Sequence, residues 1–247
     1  MDTLLQPRQR SWVEQVMGMP ISISIRAEDP SSTRVERAVS AAYAVLRAVD
    51  ERFSTWKPGS EVSRYARGEV AAPSAELAEV LALCAEAQAR TGGSFDPHLP
   101  TGFDPSGLVK GWAAERAADE LRALDGADWL LNAGGDVVLA APSGQPWNVG
   151  IEDPADRRRV LRVLPRTGGA LATSGAAARG AHIVDPRTGS AAAPLLRSAT
   201  VCGPSLLWAD VYATAAYVLG RDALGWIARL TGYSALLVDA DGALFSV

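Results

Sequence analysis

The chain has 247 residues, enough for one large domain or for two intimately packed halves. Its hydrophobic content of 48% and charged content of 21% are typical of an ordinary globular protein, and its net charge of −4 argues against nucleic acid as a main partner. The presence of only two cysteines and two histidines excludes a Cys/His zinc cluster and argues against a disulfide framework.

The first half of the chain predicts a strand followed by helices. Residues 16–26 alternate between apolar and polar side chains after Pro20, which predicts the strand. The pattern Thr33-Arg-Val-Glu36 is typical of a capping box, and the apolar residues after it repeat at steps of four and three, which predicts a helix over 33–53. A Pro-Gly loop follows at 54–60. Two further helices are predicted over 74–90, ended by Gly92 and Gly93, and over 107–124.

The second half of the chain predicts mostly strands. Strands at 129–132 and 136–140 flank Ala133-Gly-Gly135, which predicts a hairpin. Further short strands are predicted at 147–152, 159–164, 169–173, 181–184 and 199–202. A helix ended by Gly220, a helix over 223–230 and a hairpin over 235–245 complete the chain. Because helices and strands come in separate runs, the expected class is α+β with antiparallel sheet.

The N-terminal segment has no apolar core of the length that a signal peptide needs, and no segment is long enough for a transmembrane helix. We therefore expect a cytoplasmic protein without membrane insertion. Residues 1–15 are predicted to form a flexible N-terminal extension, and residues 16–247 a single domain.

Asp210 and Thr214 are the candidate metal ligands. They lie four residues apart in a mostly apolar stretch, so a helix places both oxygens on one face, one turn apart. A buried carboxylate beside a hydroxyl is costly unless a charged group lies next to it. A hard cation such as Mg2+ would suit these oxygen ligands and leave room for phosphate. A helix cap or a satisfied polar pair in the core is the alternative interpretation.

Four motifs upstream of this pair complete a recognisable pattern. They are Gly102-Phe-Asp-Pro-Ser-Gly-Leu-Val-Lys-Gly-Trp112, Asn132-Ala-Gly-Gly-Asp136, Ala172-Thr-Ser-Gly175 and His182-Ile-Val-Asp-Pro-Arg-Thr-Gly189. In order and spacing the five motifs resemble the ApbE family of flavin transferases, from about Val16 to the C-terminus. The resemblance implies a layered α+β fold of antiparallel sheets packed with helices. It also implies transfer of FMN from FAD to a threonine of another protein.

The resemblance implies further residues that would bind the metal and the flavin dinucleotide. The backbone carbonyl of Gly107 would join Asp210 and Thr214 in the metal shell, and Asp104 and Lys110 would contact the flavin dinucleotide. Lys110 is one of only two lysines in a chain whose other basic residues are mostly arginines. This bias is modest evidence that an ammonium group is required at position 110. In the alternative interpretation Asp104 is a turn residue and Lys110 a surface charge.

Further FAD contacts are implied by the matching positions of the family. These positions are Met17, Trp56, Phe95, Asp96, Ser174, Gly175 and Ile183. An aromatic ring such as that of Trp56 can stack on adenine or isoalloxazine, although a loop aromatic packed on the core is an equally simple interpretation. The Gly-Gly-Asp motif that ends at Asp136 supports the resemblance, but a hairpin turn explains it as well.

His182 is the candidate general base, since a neutral imidazole can accept the proton of an attacking hydroxyl. A structural histidine is the alternative. The chain departs from the family pattern at four other positions. Met19 stands where relatives have Thr, His98 where they usually have Thr, Ala178 where near relatives have an acidic or aromatic residue, and Ala181 where many have a second His.

The sequence therefore predicts a Mg2+-dependent FAD:protein FMN transferase that releases AMP. FAD would be the substrate, and the partner would be an acceptor protein with a Ser/Thr-containing flavinylation motif. Two alternatives remain open at this point. The same site could use water and act as an FAD pyrophosphatase that yields FMN and AMP, or the protein could bind FAD without catalysis.

Overall fold

A computed structural model of the chain describes residues 8–100, 102–176 and 183–247. The N-terminal part contains β1 (Arg8–Val16), β2 (Met19–Ala27), α1 (Thr33–Phe53), α2 (Glu61–Ala66) and α3 (Ala75–Arg90). The middle part contains β3 (His98–Leu99), β4 (Gly102–Phe103), α4 (Ser106–Arg122), β5 (Asp128–Ala133), β6 (Asp136–Ala140), β7 (Trp147–Asp153), β8 (Asp156–Arg166) and β9 (Gly168–Gly175). The C-terminal part contains β10 (Val184–Asp185), β11 (Ser190–Ala191), β12 (Leu196–Gly203), α5 (Leu206–Leu219), a 3-10 turn (Gly220–Asp222), α6 (Ala223–Ile227), β13 (Ser234–Asp239) and β14 (Leu244–Ser246).

Eight of the strands form one antiparallel sheet in the order β1-β2-β5-β6-β9-β12-β13-β14. Three pairs of strands, β3–β4, β7–β8 and β10–β11, form separate two-stranded sheets. The prediction of an α+β fold with antiparallel sheet and packed helices is confirmed. None of the helices within the described ranges combines the length and the apolar character needed to cross a membrane.

The large sheet lies between a layer of helices and the β7–β8 hairpin. Alternate residues of a strand point to opposite faces, so each central strand supplies two cores. On β6, for example, Val138 belongs to the core beneath the helices, whereas Val137 and Leu139 belong to a second core with Trp147 and Ile151 of the hairpin. The hairpin therefore covers the face of the sheet that the helices leave open.

Helix α1 shows how the sequence produces this packing. Its buried residues repeat along one stripe and face the sheet; they are Val35, Val39, Ala42, Tyr43, Leu46, Val49 and Phe53. The cap of this helix lies one residue earlier than the predicted capping box. The Ser32 side chain, not that of Thr33, accepts a hydrogen bond from the Val35 amide.

The N-terminal boundary predicted at residue 16 is wrong for residues 8–15. These residues form most of β1, which pairs with β2 from Arg8↔Ala27 to Val16↔Met19. The predicted strand over 16–26 is in fact the end of β1, a two-residue turn and β2. Most side chains of β1 are exposed, so the strand lacks the apolar alternation that reveals a strand. Residues 1–7 lie outside the described part, and the single domain over 16–247 stays a prediction.

Candidate functional site

Five polar side chains from four elements meet at one end of the large sheet, and we call them the polar cluster: Lys110 of α4, Asp136 of β6, Ser174 of β9, and Asp210 and Thr214 of α5. Lys110 Nζ lies 2.5 Å from Asp136 Oδ2 and 3.3 Å from Asp210 Oδ1. Ser174 Oγ lies 3.1 Å from Thr214 Oγ1. The structure thus brings four of the predicted site residues together, and it adds Asp136.

A close approach of α4 and α5 places Lys110 beside Asp210. Gly111 is the contact point, since a Cβ there would lie 2.9 Å from both the Leu206 carbonyl oxygen and Leu207 Cα, and 3.2 Å from Asp210 Cβ. A side chain at this position would force the two helices apart. The glycine next to Lys110 in the sequence is therefore what allows its ammonium to reach a carboxylate on the neighbouring helix.

Asp136 is held at the start of β6 by its surroundings. Its Oδ1 accepts a hydrogen bond of 2.9 Å from the Thr173 amide, and the residue is 2% exposed. The turn before it depends on Gly134, whose φ is +64°, because the Sδ atom of Met19 would lie 2.7 Å from a Cβ there. Met19, at the position where relatives have Thr, thus packs over this turn. The sequence pattern identified the Gly-Gly-Asp motif as a hairpin but missed the part that its aspartate plays in the cluster.

The polar cluster places two buried acidic side chains beside a single ammonium. Burial by itself lowers the pKa of Lys110, but Asp210 and Asp136 raise it by more, so the ammonium stays protonated. Burial raises the pKa of Asp210; Lys110 opposes this rise and Asp136 adds to it, and the net direction is upward. Two buried carboxylates thus share one ammonium, which favours the binding of a further cation.

The oxygens around Asp210 fit a hard cation. Asp210 Oδ2 is buried and has no hydrogen-bond partner in the described part of the chain, which is unusual for a buried carboxylate oxygen. The Thr214 hydroxyl lies one turn further along α5, and Gly107 lies in the first turn of α4, one turn before Gly111. Within the described ranges no three His, Cys, Asp or Glu side chains form a metal-binding group. A cation would therefore depend on hydroxyl, carbonyl, phosphate or water oxygens as well.

Three predicted FAD contacts, Phe95, Asp96 and Asp104, precede α4 in the chain. The Asp104 carboxylate accepts a hydrogen bond of 2.9 Å from the Ser106 amide, as the turn interpretation predicted, so this residue orders the start of α4. Phe95 is buried, and its ring lies 3.2 Å from where a Gly107 Cβ would be. Asp96 accepts hydrogen bonds from the His98 amide at 2.8 Å and from Gln88 Nε2 at 2.5 Å. Their contact with FAD stays a prediction.

The predicted FAD contact Trp56 is an exposed side chain, and Met17 has an uncommon backbone conformation. Trp56 is 93% exposed, so the interpretation that it packs on the core is wrong, and its ring is free to stack on a ligand. Met17 has a φ of +56° and is the one non-glycine residue with positive φ in the described ranges. Met17 and Gly18 form the two-residue turn between β1 and β2, and positive φ at both residues is the geometry of a type I′ turn.

The other predicted FAD contacts, Gly175 and Ile183, and the predicted base, His182, come after Ser174 in the chain. A Cβ at Gly175 would lie 2.6 Å from the Arg197 carbonyl oxygen, so only glycine fits there. Ile183 is half-buried, and its carbonyl accepts a hydrogen bond of 2.8 Å from the Ala192 amide. The predicted base, His182, and the altered position Ala178 lie outside the described residues, so the assignment of the base stays a prediction.

Comparison with known proteins identifies a family model that fits almost the whole chain. The model of the ApbE family matches residues 17–102 and 99–237. The FAD:protein FMN transferase of Rhodobacter capsulatus is 36% identical over 156 residues, which is 58% of this chain and 29% of that protein. The enzyme of the same name from Vibrio cholerae is 32% identical over 130 residues, 48% of this chain and 39% of that protein. The chain thus spans less than half the length of these curated relatives.

Solved structures match over the full fold. The ApbE protein of Thermotoga maritima has a TM-score of 0.83 at 21% identity, with 96% of each chain covered. The flavin transferase ApbE of Vibrio cholerae has a TM-score of 0.82 at 22% identity, covering 98% of this chain and 97% of that one. At these identities the structures show a shared fold.

Proposed function

Because the chain belongs to the ApbE family, we propose that it is a Mg2+-dependent FAD:protein FMN transferase whose acceptor is a threonine hydroxyl of another protein. The observation that carries the proposal is the polar cluster. It combines a buried, unpartnered carboxylate oxygen of Asp210 with the Lys110 ammonium, next to hydroxyls of Thr214 and Ser174. Such a set of groups suits a cation and a phosphate ester together.

The reaction transfers the FMN phosphoryl group from one oxygen to another. The threonine Oγ of the acceptor forms a bond to the phosphorus of the FMN half of FAD. The bond between that phosphorus and the bridging oxygen breaks, and AMP leaves with the bridging oxygen. The hydroxyl proton passes to a base, for which His182 is the sequence prediction. Transfer of this kind needs mainly positioning and neutralisation of charge.

Asp210, Thr214 and the carbonyl of Gly107 would hold Mg2+ at the pyrophosphate. When bound, the ion supplies positive charge that lowers the cost of the departing phosphate. Lys110 has two roles of its own. Its ammonium fixes Asp136 and Asp210 in place, at 2.5 and 3.3 Å, and it adds a positive charge beside the pyrophosphate. The exposed ring of Trp56 would stack on one of the two ring systems of FAD.

The test uses purified protein with FAD, MgCl2 and an acceptor domain that the Vibrio cholerae relative modifies under the same conditions. We expect a gain of one FMN in the acceptor mass and an equal amount of AMP. Asp210→Ala should abolish both products, whereas Asp222→Asn, at an exposed position beyond the same helix, should not.

Two results would contradict the proposal, provided that the Vibrio cholerae relative modifies the acceptor. Release of AMP and free FMN without modified acceptor would identify an FAD pyrophosphatase. Binding of FAD with neither product would identify a non-catalytic FAD-binding protein. The cytoplasmic location stays a prediction from the sequence.

A further inference from the structure

A cavity lies under the β7–β8 hairpin, on the face of the large sheet opposite to the helices. Its volume is about 290 Å³, at the small end of the range for ligand pockets. One wall is β7, and the facing wall carries Thr173, Gly175, Arg197 and Ser198 from the ends of β9 and β12. The five side chains of the polar cluster do not fill it, although Asp136 also borders the cavity.

The wall made by β7 is the edge of a strand. Six consecutive residues of β7, from Asn148 to Asp153, line the cavity. Side chains of a strand alternate between two faces, so an unbroken run of lining residues means that backbone faces the cavity. β7 pairs only with β8, and its residues make no other backbone hydrogen bonds within the described ranges.

The position of a proline shows which backbone groups are free. Asn148 is paired with Pro165, which has no N–H to donate. Hydrogen-bonded and non-hydrogen-bonded pairs alternate along an antiparallel ladder. Because Pro165 fits a non-hydrogen-bonded pair, we infer that the N–H and C=O groups of Asn148 and of Gly150, two residues on, point away from β8. An extended chain could pair with them as a third strand.

The opposite wall offers hydroxyl groups. Thr173 Oγ1 lies 2.9 Å from Thr200 Oγ1, and Thr173 is exposed. Ser198 is 4% exposed, and its buried Oγ has no hydrogen-bond partner in the described part of the chain. A buried hydroxyl without a partner is uncommon and marks a group that a ligand or water can satisfy.

The cavity and the polar cluster lie on opposite faces at the same end of the large sheet, and Asp136 borders both. The Thr173 amide donates its hydrogen bond to Asp136, and Gly175 follows Ser174, whose hydroxyl contacts Thr214. Residues that line the cavity therefore alternate along β9 with residues of the cluster. A chain bound in the cavity would therefore contact Asp136, which belongs to both the cavity wall and the polar cluster.

We propose that the open edge of β7 and this cavity bind the acceptor protein as an extended segment and bring its threonine to the polar cluster. The inference rests on the proposed transferase function. The unpaired edge supplies affinity through backbone hydrogen bonds, and the volume accommodates small polar side chains such as those of Ser and Thr. The predicted FAD contacts Lys110 and Ser174 lie on the helix side of the sheet, so FAD would reach the cluster from that side, and the predicted contact Gly175 would lie where the two substrates meet.

Two variants test the inference, each with a matched control. Thr173→Phe fills the cavity, and Thr173→Val removes the same hydroxyl without filling it. Gly150→Pro removes an N–H from the open edge, and Gly150→Ala keeps it. With the acceptor domain that the Vibrio cholerae relative modifies, we expect Thr173→Phe and Gly150→Pro to raise KM for the acceptor about tenfold or more. The controls should change it by less than about threefold, and the Kd for FAD should stay unchanged in all four.

The outcomes separate this inference from the proposed function. If the wild-type protein transfers FMN and both blocking variants keep its KM for the acceptor, docking at β7 is refuted and the transferase function stands. A parallel loss of FAD affinity would show that the cavity belongs to FAD, which also refutes docking. If the wild-type protein transfers nothing to an acceptor that the relative modifies, both proposals fail. Should Thr173→Phe not fold, Gly150→Pro alone decides the question.

Discussion

Replacing Gly111 by alanine tests whether the close contact of α4 and α5 builds the polar cluster. The added methyl group would lie 2.9 Å from the Leu206 carbonyl oxygen and from Leu207 Cα. Favourable contacts between carbon atoms begin at about 3.5 Å, so the helices would have to separate by roughly half an ångström or more. Overpacking of this kind costs about 1 to 3 kcal/mol.

Gly225 provides the matched control for this substitution. It also lies in a helix, α6, and a Cβ there would meet nothing within 4 Å. Both changes gain the same helix propensity, about 1 kcal/mol for Gly to Ala, so the difference between the two variants isolates the steric cost. We expect Gly111→Ala to be less stable than Gly225→Ala by about 1 to 3 kcal/mol in urea unfolding. Each kcal/mol corresponds to about 2 to 4 °C in Tm for a chain of this size.

The same variant should lose activity, because Lys110 precedes the displaced residue. A shift of about 1 Å in a positioning group can lower a rate about 100-fold, so AMP release from FAD should fall well below that of Gly225→Ala. Equal stability of the two variants, together with equal AMP release, would refute the view that the helix contact at Gly111 positions the cluster.

Three further predictions concern single residues. Asp210→Asn should lower FMN transfer at least about 100-fold, as expected for a metal ligand. Its urea midpoint in EDTA should stay close to that of the wild type, because Lys110 keeps Asp136 as a partner. Normal transfer would exclude the metal assignment. Trp56→Ala should leave the unfolding free energy within about 0.5 kcal/mol of the wild-type value, because the side chain is 93% exposed. The same variant should bind FAD about three- to tenfold more weakly in a fluorescence titration, whereas Trp56→Phe should keep most of the affinity. An unchanged Kd for Trp56→Ala would argue against stacking. Burial raises the pKa of the Cys84 thiol to about 12, so the reactive thiolate is scarce at pH 8. Iodoacetamide should therefore label Cys84 only after unfolding, as mass spectrometry would show. Rapid labelling of the folded protein would contradict the burial of Cys84.

The sequence was sufficient where local patterns determine the structure. The apolar stripe of α1 predicted its whole length, and the Ala133-Gly-Gly135 motif predicted the β5–β6 hairpin. The helical spacing of Asp210 and Thr214 predicted their shared face on α5. In each case neighbours in sequence are neighbours in space, so periodicity and turn chemistry carry the information.

Other features depend on tertiary contacts that no local pattern records. The pairing of Lys110 with Asp136 joins a helix to a strand, and it requires the glycine contact between α4 and α5. No element was predicted at α2, because it is short and Val62 is its one buried residue. Ser32 was missed as the cap of α1 because the capping-box pattern at Thr33 competes with it one residue later.

The order of the strands has a consequence for how the protein forms on the ribosome. Across the large sheet, every strand after β1 lies beside one that was synthesised before it. A nascent chain can therefore extend the sheet from one side only, without opening strands that are already paired. Translation proceeds at about 5 to 20 residues per second, so each unfinished sheet exposes a free edge for seconds. That edge can pair with another nascent chain, so chains released before the short edge strand β14 covers β13 are expected to aggregate more readily.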